Sequence, residues 1–389
     1  MAEGATDAKR RKTEEIDPVF RSFLTKNDKK YQLEQALLNL NRGISVNLAT
    51  LRIDDCNARS SERFSKATVK VNPIKWIEDG DGIKGSPVGD IFVDGLDVLK
   101  NYLDKTSPKV PTDVLMQKAL LRLLKFLSEK DHPVLFEEKS SGAQWPVTVA
   151  QHLLSKLAVN STYTVSACPD TMWQDETVCP CKEGDQLAGT IGDTSYGCKE
   201  GWHGSSDILM EDLPVLVIHN EDEDQSVSTT DDEDFMQKDL HQLIAQTIVF
   251  SFLQRKMNRG NFKNSLVPGI GIAGSRMVFY FYDSENDVLL ASKPMELFEG
   301  NTFMTSPVLF LWLTLNYRIF GTGLTDKMKT YKAEFFKRVD ERLEMYTHNV
   351  ERPVHIPQIS EESLFPWTQE TREPENVNSS HIEYTSFDT

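Results

Sequence analysis

Apolar positions along this chain change their spacing several times, and each change predicts a different element. Ser206 to Met210 and Leu213 to Glu221 are short runs with apolar centres and polar ends, which predicts two buried strands. Phe235 to Met257 has the length and spacing of a helix, and Arg276 to Asp283 (RMVFYFYD) returns to a β-branched and aromatic run. Upstream, Thr162 to Ala167 predicts another strand. Pro146 suits the first turn of a helix, and that helix runs to Leu157.

The flanking sequence continues the pattern. Leu33, Ala36, Leu37 and Leu40 fall on one face of a helix over 18–41. Ser45 to Ile53 and the alternating Ala67 to Ile77 predict strands, and Val98 to Leu103 a short helical piece. Thr112 is the expected N-cap of the most amphipathic helix, Asp113 to Lys130, whose apolar stripe is broad enough to pack in a core. Val308 to Phe320 is almost wholly apolar and predicts a helix buried on most sides; Thr325 to Tyr346 predicts a further helix with Glu and Lys outward. The sum is an α/β protein, a mixed central sheet with flanking helices. Its expected parts are a basic, disordered stretch (1–15), an α+β region (16–145) and a core (146–300). An insertion (168–203) rich in Gly, Asp and Cys interrupts the core, and helices (301–350) and a mobile tail (351–389) follow it.

Composition narrows the function. A length of 389 residues accommodates one large or two ordinary domains, and 39% hydrophobic with 26% charged residues is ordinary globular composition. The formal charge of −16 opposes wholesale wrapping of a polyanion, although a local basic face survives that objection. No apolar leader precedes Ile16, and Val308 to Leu315 falls short of the roughly 20 residues of a bilayer span, so no membrane association is expected. The expected location is intracellular, nuclear or cytoplasmic. Lys9-Arg10-Arg11-Lys12 is either a basic cluster of the nuclear-import type or a solvated charge run. Five cysteines, an odd number in an intracellular chain, argue against structural disulfides.

Helix (Pro146–Leu157), strand (Thr162–Ala167), strand with an acid at its mouth (Asp207), strand with a polar end (His219, Glu221), helix, strand: this order resembles the αβββαβ core of the PD-(D/E)XK nuclease-like superfamily. The resemblance implies a restriction-endonuclease-like sheet. In active members an Asp and an acid-x-Lys converge on Mg²⁺ or Mn²⁺, which activates water against a phosphodiester. Carried onto this chain, Ser206-Asp207 matches the Pro-Asp position and makes Asp207 a metal ligand. His219-Asn220-Glu221 falls at the acid-x-Lys position, with His in place of the acid, Glu in place of the Lys, and no Lys on that strand. Gln151 stands where many members carry a glutamate, and Gln242 and Gln246 resemble a glutamine that some place near the metal. Two functions follow. One is a nuclease-like domain that binds nucleic acid or protein without cutting. The other is a divalent-metal-dependent nuclease using Asp207 and Glu221, with His219 and Gln242 at the site and Asp222 as a further metal oxygen. Acidic blocks at 222–224 and 231–234 suit a solvated loop equally well.

Other constellations are weaker. Cys168, Cys179, Cys181 and Cys198, with His203 nearby, form either a structural zinc site or a set of free thiols; the single C-x-C departs from the paired C-x2-C of common zinc sites. Gly269-Ile270-Gly271-Ile272-Ala273-Gly274 spells G-x-G-x-x-G, but a helix precedes it and a strand follows, the reverse of a dinucleotide site; the glycines are expected to bend the chain. Arg255, Lys256, Arg259 and Lys263 either complement the helix C-terminus or touch a nucleic-acid backbone. Asp79-Gly80-Asp81-Gly82 predicts a turn, since calcium-loop spacing is absent.

Overall fold

The structure, a computed structural model, describes residues 18, 20–44, 46–74, 85–129, 144–167, 178–181, 185–210, 213–218, 232–258 and 263–352. The expectations placed on the basic N-terminus, the Asp79–Gly82 turn and the tail beyond Arg352 lie outside these residues. Those described all belong to one compact unit.

Nine strands follow one another across a mixed sheet: β1 (Asn47–Cys56), β2 (Val69–Pro73), β3 (Tyr163–Ser166), β4 (Thr190–Gly192), β5 (Ile208–Met210), β6 (Leu213–Ile218), β7 (Leu266–Ala273), β8 (Arg276–Asp283) and β9 (Val288–Ser292). Their spatial order is β2-β1-β9-β8-β7-β6-β5-β3-β4. β3, β5 and β6 form an antiparallel meander, with Val165 and Val215 on either side of Ile208. After helices α1 (Asn27–Arg42), α2 (Val93–Leu103), α3 (Val114–Ser128) and α4 (Trp145–Val149), α5 (Asp232–Met257) carries the chain over the sheet to β7, which runs parallel to β6 with Val215 opposite Ile270. From there β7, β8, β9 and β1 pair antiparallel, so the strand predicted near residue 50 extends the same sheet.

The run RMVFYFYD is buried from Met277 to Asp283 because helices cover both faces of β8. Phe279 and Phe281 point to one face, against Phe310 of the apolar helix Thr305–Leu315. Tyr282 points to the other, against Phe252 of α5. Each such ring contributes about 1.5–3 kcal/mol by leaving water. Gly269 and Gly271 do not bend the chain. A Cβ on Gly269 would lie 2.0 Å from Thr247 Oγ1, and one on Gly271 2.7 Å from Leu243 Cδ2, so both let α5 sit close on β7. The turn into β8 uses Gly274, at φ +54°.

Two further expectations change. The amphipathic helix spans Val114–Ser128, and its cap is Asp113, whose carboxylate accepts from Met116 N–H; Thr112 stands one residue too early. Thr325 to Tyr346 is not one helix but short pieces (Asp326–Lys329, Phe335–Val339, Leu343–His348), with Glu334 in the left-handed conformation and Asp340 also at positive φ. Tertiary contacts outweigh helical spacing here. The buried Asp287 carboxylate accepts from Phe335 N–H at 3.2 Å and Phe336 N–H at 3.4 Å, and Phe335 and Tyr346 pack round Trp202.

Candidate functional site

Asp207 enters β5 with its carboxylate turned to the neighbouring strand, where Oδ2 accepts from Val217 N–H at 2.7 Å. Its backbone carbonyl accepts from Ser166 N–H, so one residue bridges three strands of the meander. The segment before it is pinned from the helix side: Gln246 Nε2 donates to the Ser205 carbonyl at 3.0 Å, and Tyr196 Oη lies 3.1 Å from Ser206 Oγ. Gln246 is fully buried, and the described residues offer its Oε1 no donor. Gln242 lies one turn earlier on α5, half-buried.

Burial pushes the Asp207 carboxyl up to about 6; the Val217 hydrogen bond opposes the rise, and the negative charge of Asp239 on α5 adds to it. Among the described residues no cation pairs with Asp207. Two acids in one field are a starting point for a cation site, since Mg²⁺ is commonly held by one or two carboxylates with water in its other positions. No third acid joins them among the described residues: the one metal-capable group found there lies elsewhere. His219, Glu221 and Asp222, on which a second ligand was expected, lie outside the described residues. Asp239 had no distinguishing pattern in the sequence, since it stands just beyond a run of other acids.

The second cluster sits at the far edge of the sheet. α4 (Trp145–Val149) passes into a π-helical turn (Ala150–Leu154) and one more α-helical turn (Ser155–Leu157). His152, in the π turn, places Nε2 3.2 Å from Cys179 Sγ, and the ligand atoms of His152, Cys179 and Cys181 all lie within 4.8 Å of one another. These three residues form a group able to hold a metal ion. Desolvation pushes the Cys179 thiol up to about 12; the Cys181 backbone N–H opposes the rise, and the Cys181 thiol and Asp185 add to it. Cys198 is not in this group; its thiol donates to Glu200 at 3.1 Å. His203 Nδ1 lies 3.0 Å from the Gly201 carbonyl, and Cys168 lies outside the described residues. No spacing along the chain singles out His152, since only the fold brings it to a thiol 27 positions away.

Gln151, expected in the place of a glutamate, is an anchor for the insertion. Its Oε1 accepts from Tyr163 Oη–H at 2.7 Å and Ala188 N–H at 3.0 Å, while Nε2 donates to the Gln186 carbonyl. The basic residues after α5 are similarly engaged. Arg255 donates to the Ser284 carbonyl, Lys256 to the Val350 carbonyl, and Lys263 pairs with Asp94; Arg259 lies outside the described residues.

Comparison of the chain with protein-family models, curated proteins and solved structures returns no significant match. Among the described residues no helix is long and apolar enough to cross a membrane.

Proposed function

We propose that this chain is a nuclease-like α/β protein of the restriction-endonuclease-like type that binds a partner without cutting phosphodiesters. The observation that carries the proposal is the Asp207 carboxylate held against Val217 on the adjacent strand, inside a meander followed by a helix and a parallel strand. Fold likeness alone carries no chemistry, and the absence of a Lys from residues 213–221 of the sequence supports a domain that does not cleave. Among the described residues no Lys or Arg pairs with Asp207 to stabilise charge developing on phosphate. Between nucleic acid and protein as partner, two facts favour protein: the net charge of −16, and the engagement of Arg255, Lys256 and Lys263 within the fold.

The competing reading is an active Mg²⁺- or Mn²⁺-dependent nuclease built on Asp207 and Glu221. The second carboxylate in the field of Asp207, that of Asp239, speaks for it. Incubation of labelled single- and double-stranded DNA and RNA with Mn²⁺ separates the two. The expected result is no cleavage by either the wild type or Asp207→Ala. Cleavage by the wild type that Asp207→Ala abolishes overturns the binding-only proposal. Fluorescence anisotropy with the same oligonucleotides, in low salt, tests the partner: tight binding would exchange protein for nucleic acid.

A further inference from the structure

The His152–Cys179–Cys181 group belongs to neither reading of the Asp207 site. It joins the insertion to the helix before β3. On the helix side, the π turn carries His152 next to Gln151, whose side chain is committed to Tyr163, Gln186 and Ala188. On the loop side, Val178 bridges Gln186 and Cys179 N–H donates to the Asp185 carbonyl, so the Cys179-Pro180-Cys181 turn is fixed at its base. One nitrogen and two sulfurs are thereby held together by groups that are not themselves ligands.

The spacing fits a small tetrahedral ion. Zinc with sulfur at about 2.3 Å and nitrogen at about 2.0–2.1 Å sets neighbouring ligand atoms roughly 3.5–3.8 Å apart. The 3.2 Å from His152 Nε2 to Cys179 Sγ, and the 4.8 Å limit over all three atoms, differ from this spacing by at most about an ångström, which side-chain rotation can take up. Soft sulfur with imidazole selects zinc over Mg²⁺ or Ca²⁺, which take oxygen. We propose that His152 Nε2 and the Sγ atoms of Cys179 and Cys181 bind one zinc-class divalent cation, which fastens the insertion to the π-helical turn. Three protein donors and a water make a complete tetrahedron. Binding converts both thiols to thiolates and releases two protons to solvent.

The test uses the full chain, reduced and stripped with a chelator. Titration with Zn²⁺ against a chromogenic competitor is expected to give one ion per chain, and Co²⁺ in its place to give a thiolate-to-metal absorption band with tetrahedral visible bands. Cys179→Ser and Cys181→Ser are each expected to weaken Zn²⁺ by at least about 100-fold, more than loss of an outer partner costs. Cys198→Ser is expected to bind one ion as the wild type does. Amide exchange at residues 185–192 is expected to slow on Zn²⁺ addition. A reduced wild type that takes up no stoichiometric Zn²⁺ overturns the proposal. So does a Co²⁺ spectrum without a thiolate band, undiminished affinity in both cysteine variants, or loss of the ion in Cys198→Ser. The Co²⁺ spectrum of the unaltered chain decides the matter even where a serine variant does not fold.

Discussion

Asp207 is a carboxylate whose ionisation works against the fold. Its value in the folded chain, about 6, is above the ordinary carboxylate range, so the stability it contributes is full below the unfolded value and is lost as pH rises through about 6. Asn keeps an acceptor for Val217 N–H and removes the charge. Asp207→Asn is therefore expected to match the wild type at about pH 3.5, below the unfolded value, and exceed it near pH 8. The roughly two-unit shift corresponds to about 3 kcal/mol, which partial exposure reduces to about 1–2 kcal/mol. Thermal unfolding at both pH values checks this; an Asn variant less stable near pH 8 would mean that the charge is compensated in the native chain. Packing gives an independent residue-scale case at Gly269. Gly269→Ala drives a methyl to 2.0 Å from Thr247 Oγ1 and is expected to cost about 1–3 kcal/mol by urea unfolding. Thr247→Ala removes that oxygen, so the double variant is expected to lose less than the sum of the two single ones.

At the scale of elements, what the sequence made legible is what burial dictates locally. β6, α5 and β8 were predictable because strands covered on both faces must be apolar throughout, and a 26-residue helix leaves a long signal. Asp207 was legible for the same reason, as a lone acid at the mouth of such a strand. Elements decided by distant partners were not. The stretch 325–346 has helical composition, but backbone N–H groups drawn to Asp287 and rings drawn to Trp202 break it into pieces. The π turn is also invisible in composition, and with it the meeting of His152 and Cys179. Gln151 reports how much that junction matters. Gln151→Ala would leave Tyr163 Oη, Ala188 N–H and the Gln186 carbonyl without their partner, at an expected cost of about 2–3 kcal/mol. Hydrogen exchange should locate the loss, faster at residues 186–192 than in β7 or β8; uniform acceleration would instead make Gln151 a determinant of the whole core.

Across the whole molecule, segments far apart in sequence converge on one ring cluster. Tyr346 Oη accepts from Trp202 N–H at 3.1 Å and donates to the Ala58 carbonyl at 2.7 Å, joining the C-terminal pieces, the insertion and the N-terminal region. Phe252 of α5 and Phe335 pack against the same Tyr346 ring. Because β1 also pairs with β9, the N-terminal region and the rest of the core share one sheet as well as this cluster. Neither has a boundary along which it could part cheaply. Urea unfolding followed by tryptophan fluorescence and by far-ultraviolet circular dichroism is therefore expected to give one coincident transition. Tyr346→Phe keeps the ring and deletes the hydroxyl, leaving a buried N–H and a buried carbonyl unpaired. It is expected to lower the midpoint by about 1–3 kcal/mol equivalent while the two probes stay coincident. Separation of the probes in the wild type would show that the regions fold independently; separation only in Tyr346→Phe would mean that this hydroxyl is what couples them.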